Sequence, residues 1–462
     1  MKHLSIDRSL VINVPAIIAF YGAGGKTTLM LKLANEMTAL GHKVLLTTTT
    51  KIFSPPEIPL FCDHNIEHKV QSLQEHFKHS DTAVLGKKML PDGKIEGLEP
   101  ASIEYLRNKL AVSVLVEADG AKKMPIKGHA AYEPVLPASS DLIISLIGAD
   151  ALGAALTPAS VHRLKEYLQV TGAEEGDLIT EKLIADTFKH MFRIGRNQAP
   201  RARIFSVLNK ADLLQKPGPS ALKIAKFLCK EHNRPERFLL TEGTGLNPVT
   251  ITLNLDPDEH FASVSCVVLA AGESSRMGRA KLSLRSGNKT ILEQTLTQAA
   301  GSGLKDIVVV TGPESPCSET IKASGFKLVE NPSYKTGMAS SLKAGLNAVD
   351  ITAQGVIFAL ADQPQVPSEI YSSLYKKYNT HLSLCTFPVY RGQRGNPALF
   401  DRRLWPDLMN LSGDQGGRAV LNNLRDDQID CIETNTPAVL LDIDSPEDYL
   451  FYLSYLASSQ LF

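Results

Sequence analysis

The chain has 462 residues, too many for one ordinary core, so two or three domains are expected. Its 49 basic and 49 acidic side chains cancel, which excludes a polyanion-binding face spread over the surface and leaves phosphate recognition to local sites. No stretch approaches the roughly 18 apolar residues that span a bilayer. No basic segment followed by an apolar run and cleavage site opens the chain. A cytoplasmic protein with no membrane or nucleic-acid partner is expected, and the six cysteines, with no C-x-x-C pair among them, read as reduced structural thiols.

Ala16 to Tyr21 is a short apolar run leading into Gly22-Ala23-Gly24-Gly25-Lys26-Thr27-Thr28. A strand, a glycine loop and Lys-Thr opening a helix form the context of a phosphate-binding loop, because the helix N-terminus adds its partial charge to that of the lysine. The loop is a variant, since the first glycine of the standard form would fall at Phe20. Leu29, Leu33, Met37 and Leu40 recur at helical spacing up to Gly41, and Val44 to Thr47 reads as the next strand. Thr47-Thr48-Thr49-Thr50-Lys51 at its end either touches phosphate or metal or is a β-prone threonine run. His64 to His68 spells H-x-x-E-H, but in a polar, helix-like stretch without a marked third ligand it reads as a solvated face. Val112 to Val116 is a buried strand ending at Glu117-Ala118-Asp119. Asp119, with Glu117 in reserve, is expected to hold Mg²⁺ together with Thr27. Arg203 to Leu208 is a further strand, followed by Asn209-Lys210-Ala211-Asp212. The proline- and acid-rich segment 247–262 marks the boundary, giving domains of 1–254 and 263–462.

The second domain opens on an apolar strand that breaks at Leu269-Ala270-Ala271-Gly272 and runs on to Arg276, Gly278 and Lys281. Gly272 and Gly278 let backbone approach a ligand, and Arg276 and Lys281 add charge, so a triphosphate site is expected. A helix end and a strand follow at 302–312, then strands at 325–330 and 355–361, the last with Asp362 at its tip. A final strand is expected at Ala438 to Leu441, leading to Asp442 and Asp444. Ser445, Pro446 and Asp448 then cap a helix. Alternating strands and helices predict α/β architecture in both halves: two doubly wound domains, P-loop NTPase-like and then Rossmann-like, with mostly parallel sheets and ligands at the strands' carboxyl ends.

The pattern Leu269 to Lys281 resembles the signature of MobA-like nucleotidyltransferases, specifically the MocA-type molybdenum cofactor cytidylyltransferases. Asn331-Pro332, Gly337-Met338, Ser341-Leu342, Ala361-Asp362-Gln363-Pro364, Arg394-Gly395-Asn396-Pro397, Gly413-Asp414 with Gly416-Gly417-Arg418, and Asp442 to Asp448 follow in order. The resemblance implies CTP as substrate and molybdopterin as acceptor. It places nucleotide at Leu269, Ala270, Ala271, Gly272, Gly278, Gly337 and Ser341, and acceptor at Arg394, Gly395 and Asn396. Catalysis falls to Arg276, Lys281 and Asp362, with Mg²⁺ on Asp362 and either Asp442 or Asp444. Ala271 stands where guanylyltransferases of this superfamily tend to have a second glycine, which favours CTP over GTP. The alternatives are a guanylyltransferase or a transferase for a sugar or alditol phosphate. Asn209-Lys210-Ala211-Asp212 resembles the guanine-reading motif of P-loop GTPases. Together with Gly22 to Thr28, Thr47 to Lys51 and Val116 to Lys122 it resembles YqeC-type accessory proteins of selenium-dependent molybdenum hydroxylases. That resemblance implies a fusion with GTP or ATP at Gly22, Gly24, Gly25, Lys26, Thr27 and Thr28 and an apo molybdenum hydroxylase as partner. In the rival reading the N-terminal half delivers cofactor or selenium without turnover.

Overall fold

The computed structural model describes residues 10, 12–63, 65–230, 233–243, 249–256, 261–272, 281–313 and 315–459. They belong to two compact units, Lys2–Phe261 and Ala262–Phe462. In the first, the main strands are β1 (Ile17–Gly22), β2 (Val44–Thr48), β3 (Leu60–Cys62), β4 (Thr82–Gly86), β5 (Ser113–Glu117), β6 (Leu142–Gly148), β7 (Arg203–Asn209), β8 (Arg237–Thr241) and β9 (Val249–Asn254). They form one sheet in the order β9-β8-β7-β6-β1-β5-β2-β4-β3. Only β9 runs antiparallel to its neighbour. Every residue of β1, β5 and β6 is buried, as a parallel sheet covered on both faces requires of such apolar runs. Because β1 lies between β5 and β6, the turns that leave their carboxyl ends meet at one place. From β1 the chain enters helix α1 (Lys26–Ala39), which buries Leu29, Leu33 and Met37 on one face. Gly41, at φ 86°, closes that helix by donating to the Thr38 carbonyl.

The second unit has β10 (Val264–Ala270), β11 (Asp306–Thr311), β12 (Lys327–Glu330), β13 (Gly355–Leu360), β14 (Cys385–Tyr390), β15 (Gln393–Arg394), β16 (Ala398–Asp401) and β17 (Ile429–Glu433). The order is β12-β11-β10-β13-β16-β14-β15, with β17 on β14. The pairs around β10 and the β14–β17 pair are parallel, while β16 is antiparallel to both neighbours. Both units are therefore α/β with mostly parallel sheets.

One expected element differs. Residues 438–441 form no strand: a 3₁₀ turn occupies Pro437–Leu440, and the last strand is β17. Pro437 cannot donate to a ladder, and the Thr436 hydroxyl accepts the Ala438 N–H, so this apolar run coils instead of pairing. The cap that follows is reciprocal. The Ser445 N–H donates to Asp448 Oδ2 at 2.8 Å, and the Asp448 N–H donates to Ser445 Oγ at 3.2 Å.

Candidate active sites

In the second unit the register of β10 with β13 places Leu269 beside Leu360, so the turns after both strands open at the same end. The Ala361 N–H donates to the Leu269 carbonyl, which holds Asp362 next to Ala270 and Ala271. The Ile443 N–H in turn donates to the Asp362 carbonyl at 3.1 Å, drawing the acidic loop 442–444 to the same strand tip. Lys281, at the start of a 3₁₀ turn, reaches both acids: its Nζ lies 2.6 Å from Asp362 Oδ2 and 2.8 Å from Asp444 Oδ1. Burial works against the Lys281 ammonium, but Asp362 and Asp444 outweigh it and raise the pKa. Asp442 is held differently, accepting from Gln363 Nε2 at 2.5 Å. Its pKa is raised, first by burial and then by Asp362.

A cavity of about 320 Å³ opens along this tip, lined by Leu269, Ala270, Ala271, Gly272, Lys281 and Asp362 from one side and by Gly337, Ser341 and Asp414 from the other. Gly337 is there because nothing larger fits. Its φ is 110°, and a Cβ would lie 2.3 Å from the Gly413 carbonyl carbon. Asn331 Nδ2 donates to Ser341 Oγ at 3.0 Å, which gives Asn331 a positioning part that its motif alone did not disclose. A second cavity of about 320 Å³ shares Leu269, Met338 and Asp414 with the first and runs to Arg394, Gly395, Asn396 and Arg418. Gly395 permits the close approach of the 437–440 turn, since a Cβ there would meet Val439 at 2.6 Å. Arg394 stacks on Phe387 with 5.0 Å to the ring centroid, and Arg418 Nη2 donates to the Arg394 carbonyl at 3.3 Å. Asp414, Arg418 and Met338 thus join the site although the sequence reading gave them no part. The signal for Asp414 and Arg418 was the Gly413 to Arg418 motif, and for Met338 the Gly337-Met338 pair. Arg276 and Gly278 lie outside the described residues.

In the first unit Lys26 Nζ turns back to the Gly22 carbonyl at 2.7 Å and lies 3.1 Å from Asp119 Oδ1 and 3.7 Å from Glu117 Oε1. Asp119 is the hub of this cluster. Its carboxylate also accepts the Gly22 N–H at 3.0 Å and contacts Lys127 Nζ at 3.0 Å and His129 Nε2 at 3.4 Å. Thr27 Oγ1 donates to Glu117 Oε2 at 2.8 Å, so the structure pairs the loop hydroxyl with Glu117 and surrounds Asp119 with cations. Burial raises the Glu117 pKa, Lys26 opposing it.

The Ala23 N–H donates to the Leu146 carbonyl and the Gly24 N–H to the Met124 carbonyl. Asn209 Nδ2 donates to the Gly24 carbonyl at 2.9 Å, its own Oδ1 accepting from Thr241, and so joins the end of β7 to the glycine loop. Asp212 Oδ1 accepts the Gly243 N–H at 3.1 Å, and Lys210 Nζ lies 2.6 Å from Asp150. Thr47, Thr48 and Thr49 donate their hydroxyls to the carbonyls of Leu85, Glu117 and Val135, so three of the four threonines serve the backbone. His68 is exposed on the helix Ile66–His76, and His64 lies outside the described residues. Among the described residues no group of three or more His, Cys, Asp or Glu is arranged to hold a metal ion.

Family comparisons divide the chain in the same way. Residues 18–165 match the family model described as YqeC protein, and residues 266–429 match the MobA-like NTP transferase domain. A relative named uncharacterized protein YqeC, from Escherichia coli (strain K12), is 34% identical over 183 residues, 37% of this chain and 69% of the relative. The chain belongs to the YqeC family. Behind that part it carries a MobA-like nucleotidyltransferase domain, which is 26% identical over 196 residues to the molybdenum cofactor cytidylyltransferase of Escherichia coli (strain K12), 41% of this chain and 95% of that protein. Among solved structures, Rv0371c from Mycobacterium tuberculosis H37Rv is similar at 26% identity and TM-score 0.37, over 42% of this chain and 98% of that one. Among the described residues no helix is long and apolar enough to cross a membrane.

Proposed function

We propose that the MobA-like part, taken as residues 263–462, joins CMP from CTP to the phosphate of molybdopterin-bound molybdenum. The YqeC part, taken as 1–254, is a nucleotide-using accessory module for maturing selenium-dependent molybdenum hydroxylases. The observation that carries this reading is Lys281 meeting Asp362 and Asp444 on the wall of the cavity opened by Leu269 to Gly272. An oxygen of the acceptor phosphate attacks the α-phosphorus in line, the bond to the β-phosphate oxygen breaks, and pyrophosphate leaves with the electron pair. Such a reaction asks for alignment and charge neutralisation more than for a base. The loop at Ala270 to Gly272, with Gly337 and Ser341, holds the nucleotide. Lys281, with Arg276, takes up negative charge on the phosphates. Arg394, Asn396 and Arg418 line the adjoining cavity and orient the acceptor.

Magnesium fits the donor set, because it takes one or two carboxylates and completes its shell with water and substrate phosphates. Asp362 and Asp444 would hold it, the two acids that already meet on one cation, and when bound it neutralises phosphate oxygens. Asp442, tied to Gln363, is the weaker candidate. In the YqeC part, Glu117 and Thr27 are the metal-facing pair, and Asp119 positions Lys26. The resemblance of Asn209 to Asp212 to a guanine-reading motif, with Asn209 tied to Gly24 of the glycine loop, supports GTP over ATP.

The test is pyrophosphate release by the whole chain with CTP or GTP and molybdenum-loaded molybdopterin. Release with CTP is expected, a GTP preference overturns the nucleotide assignment, and release only with a sugar or alditol phosphate overturns the acceptor. A second reading of the YqeC part, a delivery module without turnover, is favoured by the Gly22, Ala23 and Gly24 N–H groups already bonding within the protein. Orthophosphate release from GTP that is lost in Thr27→Ala decides against it.

A further inference from the structure

We infer that Lys281 is a resident counter-ion which keeps the divalent-metal seat of the MobA-like part filled until a nucleotide arrives, so that triphosphate binds before or together with the metal. The inference rests on the proposal that Asp362 and Asp444 form that seat. The ammonium lies 2.6 Å from one carboxylate oxygen and 2.8 Å from the other, a shared grip on a single cation. A magnesium ion sits at about 2.0–2.1 Å from its oxygen ligands. A magnesium ion on those two oxygens would compete with the ammonium for them, and the two like charges would repel at such separations. The lysine stays within reach of solvent and ligand: its side chain is 12% exposed, Asp362 20% and Asp444 48%. It also faces the cavity that begins at Ala270 to Gly272.

A triphosphate entering that cavity offers Lys281 Nζ oxygens of higher charge than the carboxylates it now holds. As the ammonium turns to them, Asp362 and Asp444 are left with uncompensated negative charge in a half-buried place. That state favours a divalent ion, and the phosphates complete its shell. The same step prevents a metal ion from binding unproductively before the nucleotide. Two carboxylates held by a lysine are a poor metal site.

The experiment titrates Mn²⁺ into the whole chain without nucleotide, counting bound metal by electron paramagnetic resonance of the free ion. Wild type and Lys281→Arg should lack a site that Lys281→Met gains, with Mn²⁺ bound there at least tenfold more tightly in the methionine variant. Circular dichroism establishes that each variant is folded. Equal Mn²⁺ binding by wild type and Lys281→Met overturns the inference, as does a gained site in Lys281→Arg, which keeps the charge. Adding Asp362→Asn to Lys281→Met should abolish the gained site. A gained site that survives this change means that the metal seat itself was misassigned, a failure of the proposed function and distinct from failure of the counter-ion role.

Discussion

Replacing Asp119 by alanine is the most demanding test of the cluster in the YqeC part. The carboxylate has no solvent exposure, and it faces Lys26 and Lys127 at 3.1 and 3.0 Å, both also buried. Removing one member of a buried ion pair costs about 3–5 kcal/mol, because the partner charge is left without compensation. Here two ammonium groups lose a partner, but Glu117 remains 3.7 Å from Lys26 and Glu133 remains 2.7 Å from Lys127, so the middle of that range, about 4 kcal/mol, is expected. For a unit of this size each kcal/mol lowers the melting temperature by about 2–4 °C, giving a fall of roughly 10 °C.

The assay is far-UV circular dichroism on heating. The chain's single tryptophan, Trp405, lies in the other unit and reports its unfolding by fluorescence as an internal control. Asp119→Ala with Lys127→Met should recover part of the loss, since the stranded charge is gone. A stability change below about 1 kcal/mol would mean that water already compensates these lysines, contrary to their burial. The pH dependence has a definite sign. Burial works to raise the Asp119 pKa, but Lys26, His129 and Lys127 hold it well below the ordinary 3.8. Its contribution is therefore complete above 3.8 and is lost only as the pH falls through the lower folded value, so the gap between wild type and variant should close only in strong acid.

Three further outcomes are expected. Lys281→Ala or Asp362→Ala should lower transfer at least about 100-fold with an unchanged circular dichroism spectrum, and substantial pyrophosphate release by either variant counts against the mechanism. Gly337→Ala forces a Cβ against the Gly413 carbonyl at a φ of 110°. A cost of about 1–3 kcal/mol and a raised KM for CTP should follow, and an unaltered KM refutes the placement of this turn at the nucleotide. His190 is pushed down from 6.5 to about 4, by burial first and by His129 second, so its folded form is neutral. The unfolded chain binds a proton that the folded chain refuses. Stability should fall as the pH drops from 6.5 towards 4, and His190→Gln should flatten that slope; an identical profile in the variant excludes His190 as its source.

Much of this arrangement could be read from residues in order. Buried parallel strands announce themselves as continuous apolar runs, and β1, β5, β7, β10 and β13 all did, each with its chemistry on the turn that follows. The capping box at Ser445 was equally plain, because a local hydrogen bond needs only local sequence. The failures have a common cause. Which of Glu117 and Asp119 faces Thr27 depends on neighbours far along the chain, Lys127 and His129, whose sequence positions carry no sign that they converge on Asp119. The threonine run left a ligand reading and a structural one open, because Leu85 and Val135, whose carbonyls take its hydroxyls, lie far along the chain. Residues 438–441 had the composition of a strand, and one proline with a threonine before it made them a turn.

The two units share a device and differ in how freely it can move. In each, a lysine rests on an aspartate just past the tip of a strand parallel to the one before the loop. The pair in the YqeC part is 4% and 0% exposed, whereas Lys281 and Asp362 are 12% and 20% exposed. Swinging Lys281 towards a ligand exposes carboxylates already reached by water. Swinging Lys26 away from Asp119 would break a fully buried ion pair, and since Lys127 and the Gly22 N–H stay on the carboxylate the cost falls at the low end of the range for such pairs, about 3 kcal/mol. A phosphate bound at the glycine loop of the YqeC part must therefore come to Lys26 where it stands, meeting the N-terminal N–H groups of α1 rather than drawing the lysine out. It follows that Asp119→Asn, which keeps the shape but weakens the grip on Lys26, should change nucleotide affinity in the YqeC part far less than Thr27→Ala does. If equilibrium dialysis with GTP finds the reverse order, Lys26 moves on binding and the fixed-lysine argument is wrong.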